Sequence, residues 1–258
     1  MKKITKLLLI LILSIGSKFI LANTIESVEI HNKEKIKLKV DVFKISSENI
    51  PTVIVLHGCG GVDQHHKEWA RQLNAWGFNS VILDSFSSRN ERAVCQKPFS
   101  VTPSQRAVDL HHTSKWIAEQ PWGKGKIGVI GFSHGGWAVL YAVSKKEIAR
   151  EVKTSNITSA VSFYPYCDNS RMFDSPGIPI QIHIGNLDMW TPATLCSDLS
   201  RHWNISNDLF IYPNSYHGFD RRNTNISVQG HILRSNTDSD STARERVRNF
   251  FNLTLNSK

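Results

Sequence analysis

Six short apolar runs recur along the chain, and each stops at or beside a glycine, a proline or an aspartate. They are Thr52 to Leu56 before Gly58, Ser80 to Leu83 before Asp84, Lys126 to Ile130 before Gly131, Ile157 to Tyr164 before Pro165, Ile178 to Ile184 before Gly185, and Asp208 to Tyr212 before Pro213. Continuous apolar runs of this kind read as strands covered on both faces, the condition of a parallel sheet. Helix-like stretches separate them. Glu68 to Trp76 repeats Trp69, Leu73 and Trp76 at helical spacing and stops at Gly77. Pro103 to Gln120 opens with Thr102 in the N-cap position and stops at Pro121. Ser133 to Val143, Leu195 to Trp203 and Ser241 to Leu255 complete the set. Ahead of them, Ile25 to Ile30 and Ile36 to Phe43 alternate like a half-exposed hairpin. The alternation predicts one doubly wound, mostly parallel α/β sheet with an antiparallel pair leading in. At 258 residues the chain is long enough for one such domain with a buried core, and short for two.

The first segment is expected to lie outside that fold. Met1 to Lys6 carries Lys2, Lys3 and Lys6, Leu7 to Ile15 is almost wholly apolar, small residues follow, and "ILA" at Ile20 to Ala22 serves as a cleavage site. That order predicts a secretory signal peptide over residues 1–22, with 23–258 as a single domain exported to the periplasm or the medium. The apolar run is broken by Lys18 and falls short of the about 20 residues of a membrane span, so no stable membrane insertion is expected after cleavage. Lys2, Lys3, Lys6 and Lys18 supply four of the nine net positive charges, and the remaining basic residues are scattered. Nucleic acid is therefore not an indicated partner.

Cys59, Cys95, Cys167 and Cys196 form an even set, which in an exported chain suggests disulfides in one of three pairings. They form no C-x-x-C pair and show no zinc spacing. His65-His66 and His111-His112 are adjacent pairs that do not share a helix face, so they read as surface or packing residues and not as metal ligands.

Gly131-Phe132-Ser133-His134-Gly135 fits G-x-S-x-G between a predicted strand and a predicted helix. A nucleophile placed there sits on a tight turn, and glycine flanks it because a side chain would meet neighbouring backbone. The turn projects the Ser133 hydroxyl above the sheet, and the next helix points its positive end at a developing oxyanion. A structural glycine turn would show the same letters. The strand-turn-helix context favours the nucleophile.

A serine nucleophile needs a base, and the chain order in such folds is Ser, then Asp or Glu, then His. Asp188 in "GNLDMWTP" follows the run ending at Ile184, and His217 in "YPNSYHGFD" follows the run ending at Tyr212. Both lie past the C-terminal ends of strands, where open α/β sheets form their sites. His217 would take the Ser133 proton, and Asp188 would orient the imidazole. Asp168, Asp174 and Asp198 do not follow a clear strand with a glycine turn. His183 falls inside a strand pattern, and His202 and His231 have no strand end beside them. An oxyanion hole needs two backbone N–H groups: one from His134, the other from the loop "HGCGG" at His57 to Gly61, where Cys59 is the expected donor through its amide.

The ordered set "LHGCGG", "DSF", "GFSHGG", "FYPYC", "GNLDMWTP" and "YHGFD" resembles the dienelactone hydrolase family of α/β-hydrolases, and more narrowly its exported serine-nucleophile members. The resemblance runs from about Pro51 to the final helix. It implies the α/β-hydrolase fold, a sheet of about eight strands flanked by helices. It also implies hydrolysis of a small-molecule carboxylic ester or lactone, with neither metal nor organic cofactor. The family's triad carries over to Ser133, Asp188 and His217, and its oxyanion donors to Cys59 and His134. Two positions depart from the namesake enzymes, which use a cysteine where Ser133 stands and a glutamate where Gly58 stands. Dienelactone itself is therefore not implied as the substrate.

On that fold the expected disulfides are Cys59–Cys95 and Cys167–Cys196, tethering loops around the site, against the alternative of four buried thiols. The long segment from Asp84 to Thr102 is expected to overhang the site, with Arg89 or Arg92 meeting an anionic group or simply solvated. Trp190, Tyr164 and Tyr166 are candidates for an apolar lining, although core or rim packing is the commoner role of such rings. A peptidase or acyltransferase would use the same triad, and a non-catalytic binding protein would share only the fold.

Overall fold

The computed structural model describes residues 24–31, 36–144, 156–167, 174–205 and 208–256. The expected signal peptide and Asp168 lie outside them. One sheet is built from β1 (Thr24–His31), β2 (Lys37–Lys44), β3 (Thr52–Leu56), β4 (Asn79–Asp84), β5 (Ile127–Phe132), β6 (Ile157–Phe163), β7 (Ile180–Gly185) and β8 (Leu209–Tyr212). Its strand order is β1-β2-β4-β3-β5-β6-β7-β8. β1 pairs with β2, and β2 with β4, antiparallel; every other pairing is parallel. The central strands are apolar throughout because both their faces are covered: β3, β5 and β7 are buried at every position. β2, nearer the edge, alternates exposed and buried residues over its first half.

Among the described residues five helices flank the sheet: α1 (Gln64–Ala75), α2 (Pro103–Glu119), α3 (His134–Val143), α4 (Ala193–Trp203) and α5 (Thr237–Leu255). Two glycines of β5 show how closely they approach. A Cβ on Gly128 would lie 3.0 Å from side-chain atoms of Phe251 and Leu255 in α5, and one on Gly131 would lie 2.7 Å from Val139 in α3. Positions 128 and 131 point to opposite faces of the strand, so α3 and α5 cover opposite sides of the sheet.

Two helices start four residues earlier than their apolar patterns predict. α1 begins at Gln64 because the Asp63 carboxylate caps it, accepting from the His65 amide at 3.1 Å, with His66 closing the capping box. α5 begins after Asn236, whose side chain accepts from the Ser239 amide at 3.1 Å.

The segment between β4 and α2 is less open than expected. It contains a 3-10 turn at Ser87–Arg89 and its own small core of Phe86, Val94 and Val101. Arg89 donates to both carboxylate oxygens of the buried Asp109, at 2.7 and 3.0 Å. Its guanidinium is therefore engaged by α2, which fits neither of its two expected placements, against an anionic group or in solvent.

A second sheet was not predicted. β9 (Asn225–Val228) and β10 (His231–Arg234) form an antiparallel hairpin. Gln229 and Gly230 turn it with φ of 52° and 82°, the two-residue geometry that joins twisted strands tightly.

Candidate active site

Ser133 occupies the sharp turn between β5 and α3 with φ 54° and ψ −118°, a conformation strained for any residue with a Cβ. Its amide donates to the Phe163 carbonyl at 2.9 Å, which ties the turn to β6. The flanking glycines have steric reasons. A Cβ on Gly131 would lie 2.4 Å from the Gly135 carbonyl oxygen, and one on Gly135 would lie 2.5 Å from the carbonyl oxygens of Leu56 and His57. Their absence lets α3 start directly against the end of β3.

The loops after β7 and β8 bring Asp188 and His217 to the same place. Nε2 of His217 lies 2.9 Å from Ser133 Oγ, and Nδ1 lies 2.7 Å from Asp188 Oδ2. Asp188 and His217 are both buried, whereas Ser133 is partly open. Oδ1 of Asp188 accepts from the amides of Trp190 and Thr191, each at 2.9 Å. These bonds aim the other oxygen at the imidazole. A carboxylate at Nδ1 holds the proton on that nitrogen and leaves Nε2 free to accept from the serine hydroxyl.

The loop after β3 runs beside the serine: a Cβ on Gly58 would lie 3.6 Å from the Ser133 Cβ. The Cys59 carbonyl accepts from the Val94 amide at 2.8 Å, and Cys59 is bridged to Cys95. The second bridge, Cys167–Cys196, joins the loop after β6 to α4. Both pairings are the expected ones.

The imidazole of His134 is locked. Its Nδ1 accepts from Arg106, and its Nε2–H donates to the Pro98 carbonyl at 2.8 Å. Burial, with the Arg106 charge adding to it, lowers its pKa to about 3, so the ring stays neutral.

The competing candidates lie elsewhere. Asp174 is exposed outside any element, and Asp198 pairs with Arg201 on the surface of α4. His183 is buried in β7 and stacked on Phe163, and burial lowers its pKa to about 3. His202 lies exposed in α4. His231 opens β10 and stacks on Trp190 at 4.9 Å, and Trp190 in turn lies 5.1 Å from His217.

Sequence reasoning missed a buried network behind the site. Asp220 accepts from His65 Nε2 at 2.7 Å, from Trp69 Nε1 at 2.7 Å and from the Tyr164 hydroxyl at 2.8 Å. The Tyr164 ring lies 4.6 Å from His217. The network thus braces the imidazole from behind and holds the chain three residues past it. Burial works against ionising Asp220, but the charges and hydrogen bonds of His65, Arg244 and Tyr164 outweigh it and hold the carboxyl well below its usual range.

Asp63, His65 and His66 bring ligand-type atoms within 4.8 Å of one another. Asp63 is already paired with Arg221, whose charge opposes a cation there. The histidine pair is buried and hydrogen-bonded, so of its two expected placements packing applies and surface does not.

Two cavities flank Ser133. One, of about 210 Å³, is lined by His217, Gly218, Arg221, Ile226 and Leu233. The other, of about 320 Å³, is lined by Pro98, Phe99, His134, Trp137 and Tyr166. Cys59, Cys95, Ser133 and Trp190 border both.

The sequence profile described as "Dienelactone hydrolase family" matches residues 40–255. The chain belongs to the dienelactone hydrolase family. It is accordingly a hydrolase acting on ester bonds. Solved structures share this family member's fold at low sequence identity. A dienelactone hydrolase from Anabaena variabilis superposes with a TM-score of 0.70 at 18% identity, over 90% of this chain and 98% of that one. An esterase from Pyrococcus furiosus gives 0.66 at 17% identity, over 90% and 93%. A dienelactone hydrolase-like promiscuous phosphotriesterase from metagenomic libraries gives 0.67 at 18% identity, over 90% and 98%. No curated protein matches the sequence.

Proposed function

We propose that this dienelactone hydrolase family member is an exported serine hydrolase that cleaves a carboxylic ester or lactone through an acyl-enzyme on Ser133. The observation that carries the reading is the continuous hydrogen-bonded path from Ser133 Oγ through His217 to Asp188. Ser133 Oγ attacks the ester carbonyl carbon while its proton passes to His217 Nε2. The carbonyl oxygen becomes an oxyanion between the amides of Cys59 and His134. The bond to the leaving oxygen then breaks, and that oxygen takes the proton from Nε2. Water repeats the sequence: His217 removes its proton, its oxygen bonds the acyl carbon, and Ser133 leaves reprotonated. Asp188 orients the imidazole and stabilises its cationic form throughout.

Export is supported by two disulfides, which reducing compartments disfavour, and by the basic-apolar-small order of residues 1–22. The domain then spans 23–258. Among the described residues no helix is long and apolar enough to cross a membrane.

The test is turnover of p-nitrophenyl acetate and labelling by a fluorophosphonate in the wild type and in Ser133→Ala. Both signals are expected in the wild type, and both should vanish in the variant. Equal turnover in the two proteins, with no label on a folded wild type, would overturn the reading.

A further inference from the structure

The two cavities beside Ser133 differ in one decisive respect: His217 lines the smaller and is absent from the lining of the larger. If Ser133 is the nucleophile, as proposed above, that difference assigns the two halves of the substrate. A leaving oxygen must come within hydrogen-bond reach of His217 Nε2 to receive its proton. The leaving group therefore lies in the smaller cavity, beside Gly218 and Arg221. In the tetrahedral intermediate the carbon bound to Ser133 carries two further groups, the oxyanion and the acyl chain. The acyl chain is left with the cavity that touches Ser133 and His134 but not His217.

We propose that this larger cavity is the acyl pocket and that it takes a single-ring aromatic acyl group. Its walls are aromatic. Trp137 stands one helical turn after Ser133, and helical side chains lean back towards the N-terminus, here towards the serine. The Phe99 ring meets Trp137 edge-on at 5.7 Å, and Tyr166 also meets it edge-on, at 5.2 Å. The Cys59–Cys95 bridge and Pro98 supply further apolar wall. Rings set nearly perpendicular around a slot offer both faces and edges to an entering ring, the arrangement aromatic pairs prefer.

Phe99 is 67% exposed, a large apolar side chain held open at the mouth of a cleft that reaches the serine. The volume of about 320 Å³ is at the small end of ligand cavities, which suits one ring on a short tether better than a long alkyl chain.

The experiment holds the leaving group constant. The p-nitrophenyl esters of acetate, butyrate, octanoate and 3-phenylpropionate are compared in the wild type and in Phe99→Ala. The wild type is expected to show kcat/KM for 3-phenylpropionate about ten-fold above butyrate, and Phe99→Ala to lower that ratio about ten-fold. A flat profile, a preference for octanoate, or a ratio unmoved in Phe99→Ala overturns the aromatic acyl pocket. A parallel series of aryl and alkyl acetates places the ring on the leaving side. A Phe99→Ala effect confined to that series would also overturn the assignment.

Absence of turnover with any ester would instead overturn the serine hydrolase reading, so the two failures are distinct. Phe99 is exposed, so its truncation spares the core. Inactivation rates of the wild type by 2-phenylethyl and by methyl fluorophosphonate give a readout that needs no variant: the aryl reagent should react faster, and equal rates would overturn the pocket.

Discussion

Nη1 of Arg106 donates a hydrogen bond to Nδ1 of His134 across 2.8 Å. The same guanidinium donates to the His57 carbonyl at 2.7 Å. Arg106 is fully buried, and burial lowers its pKa to about 9. One side chain on α2 thus joins the start of α3 to the loop after β3, the two segments proposed to supply the oxyanion amides. Arg106 acts here as a positioning residue. In Arg106→Met, kcat on p-nitrophenyl acetate is expected to fall about 10- to 100-fold with a smaller change in KM, because amides displaced by a fraction of an ångström miss the transition state more than the substrate. Steady-state kinetics beside a thermal melt separate this from general loosening, which would lower the amount of active enzyme and leave its KM and kcat per labelled site unchanged.

Asp188→Asn retains the shape of the loop after β7 but removes the charge that holds the proton on Nδ1 of His217. A fall in kcat of about 10⁴-fold is expected, compared with about 10⁶-fold for Ser133→Ala. Steady-state rates per folded protein measure both, with burst titration of active sites added for Asp188→Asn.

The two disulfides close segments of 36 and 29 residues, and removal of either by paired Cys→Ser substitution is expected to lower stability by about 3 kcal/mol. Their effects on rate should differ. Cys59 belongs to the proposed oxyanion loop and Cys95 carries the segment with Pro98 and Phe99, so loss of that bridge should reduce kcat/KM more. Denaturant titration and ester turnover on the two double variants check this.

Asp220→Asn leaves His65, Trp69 and Tyr164 without their shared carboxylate, and a loss of about 3 kcal/mol or more is expected. The pH dependence follows from the same group. Its folded pKa is depressed, so its stabilising contribution is present above the unfolded value of about 3.9 and is lost as pH falls through that value towards the folded one. The wild-type melting temperature should therefore drop on acidification below about pH 4, and that of Asp220→Asn should drop less.

The apolar runs from Thr52 onwards correspond to β3 to β8 within two residues at each end, because strands covered on both faces leave a continuous apolar trace. The turn at Ser133 and the loops holding Asp188 and His217 were legible for the same reason, since each directly follows such a strand. β9 and β10 left no trace of that kind: their residues are mostly exposed or half-buried, and only the Gln229-Gly230 pair marks the turn. Arg106 and Asp220 were not legible at all. An arginine among the apolar positions of α2 reads locally as surface, and its partners lie 28 and 49 residues away. Asp220 meets His65 across 155 residues, a pairing no local pattern encodes. Arg89 read as either facing an anionic group or solvated, because its partner Asp109 is hidden in the next helix.

The backbone at position 133, with φ 54° and ψ −118°, carries a cost of about 1–3 kcal/mol for any residue with a Cβ. Serine, alanine and cysteine all have one, so the cost belongs to the position and hardly varies with its occupant. The reacting atom is therefore thermodynamically decoupled from the bend that presents it: an oxygen can be exchanged for a sulfur there without remodelling the strand before it or the helix after it. Reactivity at this site can drift in evolution while its scaffold stands still.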